Sequence, residues 1–127
     1  MDLGKIIYSR LSTVTGVVAL AGNRIYPQVI PQETDRPALA YDFTLNNPVD
    51  GTAPVLDANV VIGCWALTNE AAHQLARATH DALQNYGGQV TGTRMGPLDY
   101  VGQTESFDFE FNVWGVVLTF GCVVVVS

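Results

Sequence analysis

Residues 58–88 read ANVVIGCWALTNEAAHQLARATHDALQNYGG, and this stretch decides the fold. Val60, Ile62 and Cys64 alternate with Val61, Gly63 and Trp65, the period that places successive side chains on opposite faces of a sheet. Thr68-Asn69-Glu70 follows at once, supplying a hydroxyl that can cap a helix and an acid suited to its positive end. Ala72, Leu75, Ala76, Thr79, Ala82, Leu83 and Tyr86 then recur at helical spacing, and Gly87-Gly88 offers the left-handed residue at which helices commonly stop. A strand of about ten residues spans roughly 33 Å. A helix of about eighteen spans roughly 27 Å, so it can fold back along its own strand. This strand–helix unit is expected to be the framework on which the other elements pack.

Upstream, Leu3, Ile6, Ile7, Leu11 and Val14 mark an N-terminal amphipathic helix, and Val17 to Leu20 a short helical turn ended by Gly22-Asn23. Arg24 to Pro27 and the segment to Pro37 read as a sheet edge or an extended arm, because proline lacks a ladder donor. Ala38 to Leu45 alternates as a strand. Asn46 to Leu56, with Pro48, Asp50-Gly51 and Pro54, reads as a long connecting loop of the kind that carries interactions.

Downstream, Gln89 to Thr93 is a short strand and Met95 to Ser106 a loop punctuated by Gly96-Pro97 and Gly102. Phe107, Phe109, Phe111 and Val113 then alternate with Asp108, Glu110, Asn112 and Trp114. That pattern predicts a core strand running to Phe120, its three phenylalanines buried against the long helix. The expected architecture is α+β: a mixed, mostly antiparallel sheet of four to five strands, with an N-terminal helix and one long helix packed on one face. Residues 1–127 are expected to form one domain, with 121–127 as an apolar C-terminal extension.

The chain is 48 % hydrophobic and only 14 % charged, a balance typical of subunits that hide surface in an oligomer. Its net charge is -6, and beyond residue 36 Arg77 and Arg94 are the only basic residues. Such a chain does not grip nucleic acid by neutralising phosphates. Met1-Asp2 starts acidic with no apolar run behind it, so no export signal is expected. The apolar stretch from Val113 to Val126 is shorter than the ~18–20 residues of a membrane span, so no membrane partner is expected. Cys64 and Cys122 sit in apolar strand patterns and are expected to be free thiols.

No enzyme signature emerges. His73 and His80 lie two helical turns apart, about 10 Å, too far to share a zinc ion. Asp108 and Glu110 are paired acids of the type some glycosidases use, but without the surroundings that chemistry needs. The nucleophile elbow, the phosphate-binding loop and Cys-x-x-Cys spacing are all lacking. Neither catalytic residues, nor a metal site, nor a cofactor is expected. Trp65 and Trp114 leave open a ligand-binding module that stacks a small molecule between them.

The order of features resembles the tail-completion, or tail-terminator, proteins of long-tailed bacteriophages. The matching residues are the N-terminal helix, Val18 to Pro27, Pro31-Gln32, Arg36 to Tyr41, Cys64-Trp65-Ala66, Glu70-Ala71-Ala72, Phe107-Asp108-Phe109 and Val113-Trp114. They cover roughly residues 1–120, and the chain departs from the pattern after Gly121.

The resemblance implies a structural virion protein, assembled in the host cytoplasm. It would form a hexameric ring at the head-proximal end of the tail tube, ending tube polymerisation and joining the tail to head-closure or connector proteins. Another head–tail connector or minor tail protein is the neighbouring alternative. DNA would pass through such a ring without specific binding, and Asp108 and Glu110 are candidates to line its lumen, since acids repel the phosphate backbone. Asn47, Pro48, Val49, Asp50, Gly51 and Thr52 are candidate interface residues, together with Val123, Val124, Val125 and Val126. The valine run is expected to add as a strand to a neighbouring subunit, unless it simply extends its own last strand.

Overall fold

A computed structural model describes residues 3–28, 30, 35, 37–48, 55–90, 92–110 and 112–126. The element order is α1 (Leu3–Thr13), α2 (Thr15–Ala21), β1 (Ile25–Pro27), β2 (Ala38–Pro48), β3 (Val55–Ala66), α3 (Asn69–Leu83), β4 (Gly88–Val90), β5 (Thr93–Met95), β6 (Asp99–Asp108) and β7 (Val113–Val126). The expected unit of strand and long helix is present as β3 and α3. Thr68 caps α3 by accepting the N–H of Ala71 at 3.1 Å, and Glu70 lies in its first turn. The helix ends earlier than Gly87-Gly88 suggested. Leu83 is its last residue, and Asn85 takes the left-handed conformation, with φ 63°.

The class is α+β with a mixed sheet, as expected, but the described residues form seven strands and three helices rather than four to five strands and two helices. Val17 to Leu20 belongs to a second helix, α2, rather than to a lone turn. The strand order is β1-β2-β3-β7-β5-β4, with β6 also paired to β7. Only β1 and β2 are parallel, and β1 is the short edge strand that Pro27 permits. β3 occupies one edge of β7 throughout, from Val55–Val125 to Ala66–Trp114. The other edge is divided: β6 takes residues 113–121 and β5 takes 124–126.

Two stretches differ from the sequence reading. Residues 99–106, read as loop, form most of β6. Gly102 adjoins a register shift between Tyr100 and Gly102, where a missing side chain is tolerated. The predicted core strand from Phe107 is instead a hairpin between β6 and β7. Asp108 Oδ1 accepts the N–H of Glu110 at 2.9 Å, and Asn112 adopts φ 53°. Both are turn devices. Phe109 is consequently 85 % exposed rather than core, and Phe111 lies outside the described residues.

The C-terminal valines are a central strand of the chain's own sheet. Residues 122–125 pair with β3, 124–126 pair with β5, and Val123 O accepts the Gly96 N–H at 2.8 Å, so the run extends the chain's own last strand, the second of the two expectations. The long loop expected over Asn46 to Leu56 is shorter as well, because β2 runs to Pro48 and β3 begins at Val55.

The core lies between the helices and one sheet face. Val60, Ile62, Cys64, Val116, Leu118 and Phe120 meet Leu3, Ile7, Leu11, Leu75 and Leu83, all buried. Thr79 and Thr93 are the buried polar residues among those described, and Thr79 lies within this layer. Its hydroxyl donates to Leu75 O at 2.9 Å and accepts from the Cys64 thiol at 3.8 Å, so its burial leaves nothing unsatisfied.

Candidate assembly surfaces

The three helices back one face, and among the described residues no helix covers the opposite one. Register assigns Asp42, Asp57, Asp99 and Asp108 to that open face, with Arg94 opposite Val125. Among the described residues it therefore carries four carboxylates against one guanidinium, and its middle is small and polar, with Asn59, Gly102, Thr104 and Thr119. Trp65 lies on it as well, seated between Gly63 and Gly115. A Cβ on either glycine would come within 2.8 or 2.6 Å of the indole.

One end of the sheet collects both candidate interface segments. Pro48 pairs with Leu56, and Val55 pairs with Val125, so the end of β2 and the valine run are neighbours although far apart in sequence. Val123 and Val125 are exposed there, at 45 % and 37 %, whereas Val124 is buried in the core. Asn47 and Pro48 are strand residues, Val126 pairs with Thr93, and Val49, Asp50, Gly51 and Thr52 lie outside the described residues.

The opposite end is the β6–β7 hairpin tip. Phe107 packs on Phe109 (4.9 Å between centroids) and on Trp114 (4.8 Å), forming an aromatic cluster that faces solvent. Sequence alternation concealed it by suggesting burial. Asp108 and Glu110 flank the cluster, but they do not share a strand face: Asp108 pairs with Val113, and Glu110 belongs to the turn.

Two shallow clefts border α3. On one flank, His73, Ala76, Arg77, His80, Tyr100 and Gln103 line about 280 Å³. The ring of His73 meets the Glu105 carboxylate, and His80 packs edge-on against Tyr100, so these histidines tie α3 to β6. On the other flank, Arg10, Val14, Arg77, Ala78, Asp81 and Ala82 line about 370 Å³ between the N-terminal helices and α3. Arg10 is fixed there: its Nε donates to Ala82 O at 2.8 Å, and its guanidinium lies 4.6 Å from the centre of the Tyr86 ring.

The two tryptophans do not form a common pocket. Trp65 is on the open face, whereas Trp114 pairs with buried Ala66 on the helix side. Both cysteines are free, as expected. Burial pushes the Cys64 thiol up to about 12, opposed by its bond to Thr79. Burial and the nearby Asp57 raise Cys122 to about 11. Among the described residues no group of three or more His, Cys, Asp or Glu is placed to hold a metal, and no helix is long and apolar enough to cross a membrane.

Residues 5–124 match the family described as tail completion protein gp17, and the chain belongs to that family. It is accordingly a structural protein of the virion tail. Among solved structures, a chain from "Virion of native gene transfer agent (GTA) particle" is similar, with a TM-score of 0.83 at 20 % identity. That similarity covers 97 % of this chain and 94 % of the other. No curated protein matches.

Proposed function

We propose that the chain forms a ring, six subunits in closed form, at the head-proximal end of the tail tube. There it stops tube polymerisation and presents the surface that meets the head-closure proteins. The observation that carries this reading is membership of the tail completion family over residues 5–124. The anatomy supports it: low charge, an open sheet face and apolar exposed ends suit a subunit that works by contact.

Within the ring, the end bearing Asn47, Pro48, Val123 and Val125 meets the adjoining layer, tube or connector. The open sheet face, with Asp42, Asp57, Asp99 and Asp108, lines the passage. Carboxylates there repel the phosphate backbone, so the duplex slides without being held. Glu110, carried by the turn, leaves the lumen set that the sequence suggested.

Electron microscopy of the purified protein mixed with tail tubes tests the reading. One ring per tube, always at the same end, with no further tube growth, is the expected result. Decoration along the tube wall or at both ends would point to a minor tail protein instead. Particles carrying Asp57→Lys and Asp99→Lys should assemble but eject DNA slowly, and unchanged ejection would place these residues outside the passage.

A further inference from the structure

We infer that the hairpin tip of one copy seats in the cleft between the N-terminal helices and α3 of the next copy, making the lateral contact of the ring. The inference rests on the ring reading above and adds to it the residues that hold neighbours together.

The tip offers an exposed phenyl ring, Phe109, braced by Phe107 at 4.9 Å, with the Glu110 carboxylate beside it. No basic residue occurs from residue 98 to the C-terminus, so the tip is purely acidic. The cleft offers the complement. Val14, Ala78 and Ala82 give an apolar floor, and about 370 Å³ is ample for one phenyl ring. Arg10 and Arg77, two of the chain's six Lys and Arg residues, stand at its rim. Arg77 is exposed and makes no ion pair among the described residues, and with Asp81, the one acid of the cleft, hydrogen-bonded to His80 at 3.3 Å, the lining holds two guanidinium groups against one carboxylate. An acidic aromatic knob and a basic apolar hole on different parts of one chain form a heterologous pair. Such a contact does not stop at a dimer, and where its rotation closes it generates a ring. Buried phenyl area supplies affinity, and the acid–guanidinium match sets register and partner choice.

Sedimentation of the full chain, wild type and variants, tests the contact. Phe109→Ser, Glu110→Arg and Arg77→Glu alter exposed side chains, so each variant should keep the wild-type circular dichroism and melting curve. Each should weaken self-association by roughly tenfold or more, and Glu110→Arg combined with Arg77→Glu should restore it. If the wild type assembles and the folded variants assemble equally well, the tip–cleft contact is overturned and the ring reading stands. If the wild type stays monomeric at every concentration and on tube ends, both are overturned. Loss of assembly in both charge variants without recovery in the combination also overturns the pairing.

Discussion

The indole of Trp65 occupies the space that a Gly115 side chain would fill. The two residues are directly paired across β3 and β7, and a Cβ on Gly115 would stand 2.6 Å from the six-membered ring. Gly63 opens the same slot from within β3, where a Cβ would be 2.8 Å from Trp65 Nε1. Gly115→Val should therefore expel the indole from its seat, at a cost of about 1–3 kcal/mol. A red-shifted tryptophan emission together with a lowered Tm checks this. Gly102→Ala, where nothing lies within 4 Å of the added carbon, is the control and should leave emission unchanged.

Phe109 and Phe120 belong to the same hairpin and should behave oppositely. Phe120 is fully buried against Tyr100 and His80, so Phe120→Ala should cost roughly 3–5 kcal/mol. That approaches the whole stability of a marginal domain. Phe109 is 85 % exposed, and Phe109→Ala should change the melting of the subunit by no more than about 0.5 kcal/mol. Denaturant melts of the two variants at a concentration where the protein is monomeric provide the measurement.

Thiol chemistry gives a pH-dependent outcome. Folding raises the Cys64 pKa from 9.0 to about 12, so the folded state holds that proton where the unfolded chain releases it. Stability from this thiol is complete below pH 9 and is lost as pH climbs towards the folded value. Cys122, raised to about 11, adds to the same loss. At pH 8 a thiol reagent should label Cys64 only through unfolding, and Cys64→Ala should flatten the alkaline limb of the stability profile. Rapid labelling of Cys64 in the native protein would contradict its burial.

The β3–α3 unit was legible because its two periods are uninterrupted and its cap is local: Thr68 needs only the N–H three residues on. The hairpin was not. Alternation from Phe107 to Trp114 runs straight through a turn made without glycine or proline, by the Asp108 side chain and the left-handed Asn112. Periodicity reports two faces, but which face finds a helix above it is decided by tertiary pairing. Here α3 ends its coverage before the tip, and Phe109 is left in water. Gly102 misled in the other direction, since at an edge strand's register shift it interrupts the pattern without ending the strand. The groove between α1, α2 and α3 has no sequence signature at all. Arg10 and Arg77 meet only because the helices pack side by side.

The position of β7 has a kinetic consequence. It is the last strand in chain order, yet β4, β5 and β6 reach β1, β2 and β3 only through it. The early part of the chain can join β1 to β3 into a sheet, but β4, β5 and β6, three of the seven described strands, cannot join that sheet until residues 113–126 enter between them. Pairings as distant as Val55 with Val125 must close before they bring any reward. Completion of the sheet therefore waits on insertion of the valine strand. Until that step is complete, its apolar edge is the most aggregation-prone surface the chain exposes.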